Sequence, residues 1–263
     1  MTTLYVDAMG LSGPGMAAWH DGAEVVASRK PFRPDDIAPC HSELLPANER
    51  RRVSPTVRLA LKVAEEALAQ SSMDMDGICS VFATCDGDTE IIDSICKALT
   101  LPGRPVSPTQ FHNSVHNAAA GYWAIAARSP MPSTTVSAYG ATFAAGLMEA
   151  TAQLQVEARP VLLVAYDHTP PEPLAAAVGR FPSFAVAMVL NPEATRGSRM
   201  LTLETASGEP VSGMTDGDLE RLRTSNPVAA ALPLLEALAG SEPARVILPH
   251  VNGLQLAVDV AAG

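Results

Sequence analysis

Two unbroken apolar runs, "PVLLVAYD" at 160–167 and "SFAVAMVL" at 183–190, constrain this chain more than any other feature. They are too short to cross a bilayer and too continuous for strands with one wet face, so they read as strands buried on both faces. "ICSVFAT" at 78–84 is a third. Helical periods alternate with them. "SPTVRLALKVAEEALAQS" puts Val57, Leu61, Ala64 and Leu68 on one face, with Ser54 and Pro55 as a start signal. "DTEIIDSICKALT" gives an apolar face of Ile91, Ile92, Ile95 and Leu99. Buried strands alternating with helices predict an α/β layered sheet with helices on both faces.

The ends of the chain extend this pattern. "TLYVDAMGL" followed by "GMAAWH" reads as an opening strand and its hairpin partner, and "ARVILPHVNGLQLAVDVA" as two closing strands. "NPVAAALPLLEAL" reads as the helix before them. The stretch 191–226 is rich in Gly, Pro, Ser and Thr apart from a strand at "RMLTLET", which makes it the candidate boundary. The expectation is one domain over 1–263, with a main part at 1–190 and a reduced part at 191–263.

Charge and composition exclude several function classes. With 28 acidic against 18 basic residues the net charge is −10, unsuited to nucleic acid or to an anionic membrane surface. "MTTLYVDAMG" lacks the charged start and apolar stretch of a secretion signal, and no run approaches the length of a membrane span. A cytoplasmic location is expected. Cys40, Cys79, Cys85 and Cys96 form no CxxC pair, so they read as free thiols in a reducing compartment, with Cys79 and Cys85 packed beside "SVFAT".

The most informative stretch is "STTVSAYGATFAAGL" at 133–147, a strand, a sharp turn and a helix of small residues. Such a junction presents a nucleophile in many α/β enzymes, yet here the turn offers Tyr139 and Gly140. Ala144, Ala145 and Gly146 allow a close backbone approach, as for a helix sandwiched between sheets. "SPTQFHNSVHNAAAGYWAIA" from Ser107, which begins as a loop and becomes a helix, then "STTVSAY", "GLMEA" and "PVLLVAYD" follow one another almost without gaps.

In that order these pieces resemble the β-ketoacyl synthases of the thiolase fold. The resemblance implies a thiolase-like α/β layered fold with the N-terminal half retained and the C-terminal half truncated. It also implies a nucleophilic Cys where this chain has Gly140, or Tyr139 with a one-residue slip. Ketosynthases carry two histidines in His-Gly-Thr and Gly-His contexts; His250, in "PHVNG", matches neither. Condensation needs a thiolate for the acyl chain and imidazoles to assist decarboxylation, so no catalytic residue is assigned. The short Cys-less form is similar to chain length factors of aryl polyene and related bacterial pathways. That similarity implies a heterodimer with a catalytic ketosynthase, acyl carrier protein met only through that partner, and no cofactor. It places Thr109, Gln110, Phe111, His112, Asn113 and His116 at the subunit interface and acyl pocket, with Gln110 at the tip, Phe111 behind it, and Ile91, Ile92 and Ile95 as the pocket floor.

Competing readings stay open beside this one. His112 and His116 have the i, i+4 spacing of a metal pair, but no carboxylate third ligand accompanies them, and the plainer reading is two polar interface residues. "CDGD" at 85–88 lacks the remaining ligands of a calcium loop; Asp88 reads as a helix cap, and Asp86 is unassigned. "ERRRV" offers Arg50, Arg51 and Arg52, a solvated or interface cluster. GxSxG, GxGxxG and GxxxxGK are absent. An acyl-thioester enzyme using Thr142 or a metal, and a homodimeric scaffold, are the alternatives.

Overall fold

A computed structural model of the chain describes residues 1–35, 37, 40, 42 and 44–263. Eight strands form a single sheet: β1 (Thr2–Ser12), β2 (Cys79–Ala83), β3 (Ser133–Val136), β4 (Val161–Asp167), β5 (Phe184–Asn191), β6 (Arg199–Ala206), β7 (Ala244–Pro249) and β8 (Gln255–Val260). Their order across the sheet is β3-β2-β4-β5-β1-β6-β8-β7. β2 runs parallel to β3 and β4, and every other pairing is antiparallel. The eleven-residue β1 makes this continuity possible. Its later residues, to Ser12, pair with β5, while Thr2–Val6 also pair with β6, and its register with β5 shifts between Val6 and Ala8.

The helices are α1 (Trp19–Val26), α2 (Ala47–Arg50), α3 (Pro55–Ala69), α4 (Thr89–Thr100), α5 (Pro108–Asn113), α6 (Ala118–Ala127), α7 (Thr142–Glu157), α8 (Leu174–Val178), α9 (Gly217–Ser225) and α10 (Leu232–Ala239). Alternation along β4 and β5 sorts them into two layers. Leu162, Val164, Tyr166, Ala185, Ala187 and Val189 face α3 and α6 in one core, which buries Trp123 and Phe82. Leu163, Val186, Met188 and Leu190 face α7 and α10 in the other. Ser54 caps α3, accepting from the Val57 amide at 3.2 Å, with Pro55 in the first turn. The small side chains of β5 let α3 sit close; a Cβ on Gly10 of β1 would strike the Val63 carbonyl of α3.

Several expectations are corrected. "GMAAWH" is no hairpin partner: only a Gly13–Met16 bridge forms before the chain enters α1, because β5 and β6 already occupy both edges of β1. The start of "SPTQFHN" is helix α5 rather than loop, with Ser107 accepting from the Gln110 amide. "PLAAAV" forms the short α8. The stretch 191–226 holds helix α9 as well as β6, and β6 continues the sheet beside β1 across that stretch. α7 lies between the sheet and the buried turn Val228–Ala231, not between two sheets; a Cβ on Gly146 would come within 2.7 Å of the Ala83 Cβ. The closing helix and two strands, α10, β7 and β8, stand where expected.

Gly10→Ala is therefore expected to destabilise the fold by about 1–3 kcal/mol, because backbone rather than a flexible side chain blocks the added methyl. A denaturant midpoint unchanged from that of the parent chain would show that α3 can move off β1.

Candidate functional site

The elbow joins the end of β3 to α7 through a 3-10 turn, Tyr139–Ala141. The buried Thr142 hydroxyl organises it, donating to the Tyr139 carbonyl at 2.6 Å and accepting from the Ala138 amide at 3.1 Å. Backbone strain falls on Tyr139, whose φ of 57° is left-handed and whose side chain is 85% exposed. Gly140 needs neither special conformation nor space: a Cβ there would meet nothing within 4 Å.

Beneath the turn lies a buried carboxyl. Asp167, 1% exposed at the end of β4, accepts from the Thr84 hydroxyl at 2.8 Å and the Cys85 amide at 2.9 Å. Burial pushes its carboxyl up to about 7, against the pull of those two hydrogen bonds. Burial also pushes the Cys85 thiol up to about 12, helped by Asp167 and Asp86. Little of that thiol is ionised near neutral pH, and the Ser137 hydroxyl bonds to the Cys85 carbonyl at 2.9 Å, which places it beside the elbow. The thiols differ in setting: Cys79 is buried, Cys85 and Cys40 half-buried and Cys96 exposed.

Sequence reasoning set His250 aside because its neighbours fit no motif. The structure puts it in the elbow's cleft. That cleft, about 690 Å³, is bounded by Ala138–Ala141, by 223–227 and by Pro249–Asn252. Proximity arises because β7 ends level with the elbow, a relation that no local pattern could reveal.

The expected interface residues gather on α4, α5 and α6. Asp88 caps α4 as expected, accepting from the Ile91 amide at 3.0 Å. Of the apolar face of α4 only Ile91 is buried; Ile95 is half-buried, and Ile92 and Leu99 are exposed. The Gln110 amide donates to the Ser94 hydroxyl at 2.9 Å, tying α5 back onto α4. Phe111, 68% exposed, projects instead, the reverse of the expected order. Asn113 is buried, donating to the Arg52 carbonyl and accepting from the Tyr122 hydroxyl, each at 3.0 Å. Thr109, His112, Val115 and Ile125 line a groove of about 500 Å³ above it.

His112 and His116 do not share a helix: α5 ends at Asn113, and His116 lies in the turn before α6. Among the described residues no cluster of three His, Cys, Asp or Glu side chains could hold a metal ion. Arg52 pairs with Glu49 at 3.4 Å, while Arg50 and Arg51 line a separate hollow with Arg58.

Comparison with known proteins places this geometry. The family described as β-ketoacyl synthase, N-terminal domain, matches residues 24–243, and the chain belongs to it. A solved complex of a ketosynthase (ApeO) with its chain length factor (ApeC) from Xenorhabdus doucetiae matches with TM-score 0.75 and 23% identity, over 98% of this chain and 100% of that one. The ishigamide ketosynthase/chain length factor matches with TM-score 0.72 and 14% identity, over 100% and 99%. A type II polyketide synthase acyl-carrier protein in complex with its ketosynthase (AntDE:AntF) matches with TM-score 0.79 and 14% identity, over the whole of both chains. The fold is thus the thiolase-like ketosynthase fold. No curated protein gives a match to the sequence.

The Asp167 carboxyl carries a pH prediction. Its folded value lies above the ordinary 3.8, so the folded chain holds this proton more tightly than the unfolded chain does. The stabilisation is complete below about pH 4 and is lost as pH rises through about 7, with a slope approaching 1.4 kcal/mol per pH unit. Asp167→Asn is expected to flatten that slope in denaturation curves taken across the window; an unaltered slope would mean the carboxyl is ionised in the fold.

Proposed function

We propose that this chain is a non-catalytic chain length factor that pairs with an active β-ketoacyl synthase and shapes the acyl pocket. The observation that carries the reading is an elbow with Tyr139 and Gly140 at its tip, in a chain that leaves apolar side chains on and around α4, α5 and α6 exposed. The thioesterase alternative needs a reactive hydroxyl, and that of Thr142 is buried and already engaged on both sides. Membership of the ketosynthase family and likeness to chains from ketosynthase/chain length factor complexes support the pairing.

The pairing face is the β3 edge of the sheet with the outer sides of α4, α5 and α6. β3 has a neighbour on one side only, so its outer backbone groups can accept another strand. Ile92, Leu99, Leu101, Phe111, Val115 and Ile125, on or beside α4, α5 and α6, are exposed, and gathered on one face they would favour a partner. Gly121 lies exposed in the middle of α6, and a Cβ on it would meet nothing in this chain. A mid-helix glycine costs about 1 kcal/mol against alanine. A closely approaching partner helix accounts for it.

Acyl carrier protein, itself acidic, docks on the ketosynthase partner rather than on this subunit of net charge −10. The complex works in the cytoplasm, where the free thiols stay reduced. The α5 segment crosses the interface, and Gln110 with Phe111 forms the wall that stops the growing chain above Ile91, Ile92 and Ile95. The product class is the polyene or polyketide kind of the aryl polyene-like pathways.

Co-expression with the neighbouring ketosynthase followed by size exclusion is expected to give a 1:1 complex. A stable solitary monomer that hydrolyses acyl thioesters would sink the reading, and a tight homodimer that excludes the ketosynthase would favour a scaffold. Gly121→Ala is expected to raise the stability of the isolated chain by about 1 kcal/mol and yet weaken pairing; a variant that pairs as well as its parent would leave the glycine unexplained. In the reconstituted complex, Gln110→Ala or Phe111→Ala lengthens the released chains and Gln110→Trp shortens them, because overfilling a packed cavity costs about 1–3 kcal/mol. Tyr139→Phe and Gly140→Ala leave turnover nearly unchanged. Mass spectra with unaltered lengths, together with lost turnover for Tyr139→Phe, would reverse the assignment of wall and elbow.

A further inference from the structure

The elbow cleft has a chemistry of its own that the pairing role does not use. None of its fifteen lining residues is acidic, in a chain where acidic side chains outnumber basic ones by 28 to 18. Two of the chain's non-glycine left-handed residues, Tyr139 and Asn252, lie on opposite banks of it, at φ of 57° and 58°. Strain of this kind persists only where the surroundings enforce it, and it gathers where ligands are held.

The donors in the cleft are fixed by their other bonds. His250 Nδ1 accepts from the Val251 amide at 2.8 Å, so in the neutral ring the hydrogen sits on Nε2. That Nε2–H donates to none of the described residues. Arg223 is locked to Glu220 by Nε at 2.7 Å and Nη2 at 2.6 Å, which leaves Nη1 without a hydrogen bond among the described residues. Glu220 also accepts from the Met214 amide at 2.8 Å, so the guanidinium is held in place before any ligand arrives. The Asn252 amide likewise makes no side-chain bond to a described residue and lies beside His250. Val211, Ala230 and Pro249 add apolar lining to the same cleft.

We propose that this cleft binds a short-chain carboxylate, with its oxygens on His250, Asn252 and Arg223 and its methylenes against Val211, Ala230 and Pro249. A carboxylate only accepts, matching lining side chains that offer donors and include no acid; Glu220 occupies Nε and Nη2 of Arg223 and leaves Nη1 for the ligand. The volume of about 690 Å³ falls within the range of small-molecule sites. No bond is made or broken; the ligand is held, not turned over. The site is formed by this chain alone and does not rest on the pairing reading.

The test titrates the full chain with butyrate, following heat by calorimetry and the His250 ring resonances by NMR, with butyramide and inorganic phosphate in parallel. Butyrate is expected to bind and shift His250 while leaving His112 and His116 in place. Asn252→Ala and His250→Phe are each expected to weaken binding about tenfold or more. His250→Gln, which keeps a donor, is expected to recover part of the loss; a folded His250→Gln with no recovery would overturn the donor role. Butyramide binding as well as butyrate, or phosphate matching it so that the apolar lining adds nothing, would refute the proposal. So would shifts that survive in His250→Phe. Running the same variants in the size-exclusion assay separates the two ideas, since pairing does not involve these residues.

Discussion

Asp167 ends a strand whose seven residues are all buried, and its carboxyl reaches across to the end of the neighbouring strand. The bond to Thr84 and the Cys85 amide fixes where β2 stops. The Thr84 hydroxyl also accepts from the Gly87 amide at 3.1 Å, so the turn that follows is fixed as well, and Asp88 then starts α4. Through Ser137 and the Cys85 carbonyl the same knot holds the end of β3. The direction of α4, the packing of α5 on it through Gln110 and Ser94, and the level of the elbow thus share one anchor. Desolvation favours the neutral acid there, because a fully ionised carboxylate so deep would lose more hydration than two hydrogen bonds return.

The two ends of the sheet are finished in opposite ways. At β7 the outer edge is closed: Ser212 accepts from the Ile247 amide through its hydroxyl at 2.9 Å, and its own amide donates to the Ile247 carbonyl at 3.0 Å. Arg245 joins Glu204, Asp259 and Glu209 across that part of the sheet. Such exposed pairs add little stability each, but they make the surface polar and poor at gripping another chain. Among the described residues the outer edge of β3 has no such closure. The proposed pairing through β3 rests on this contrast rather than on any single residue.

The strands most deeply buried were the most legible in the sequence, because β4 and β5 are continuous apolar runs bounded by turn residues. α3 was equally plain, with its cap, its proline and its four-residue period. What stayed hidden depended on contacts between distant segments. "GMAAWH" alternates well enough for a strand, but β1 had no free edge for it. α9 is polar on most of its surface, and only Leu219 and Leu222 are buried; a period that short is drowned by its Gly and Ser neighbours. The apolar residues of α4 form a face by their period, yet only Ile91 is buried while Ile92 and Leu99 are exposed, which periodicity cannot tell. The place of His250 beside the elbow is hidden for the same reason: it comes from where β7 ends, and its sequence neighbours carry no sign of it.

The elbow shows how a turn can be held independently of the residue at its tip. The strain at Tyr139 is held by Thr142, whose hydroxyl satisfies the Ala138 amide and the Tyr139 carbonyl at the start of the turn. None of those bonds involves a side chain at the tip. The residue presented by such a turn can therefore change without loosening it, provided Thr142 and the close approach at Gly146 remain. Gly140 fits this account, since neither its conformation nor its surroundings demand a glycine. The turn is still needed, because it starts α7, and α7 covers β2 and β4 from Phe143 to Leu154. A change of residue at the tip thus costs the fold little, whereas loss of the turn would open one of the two cores.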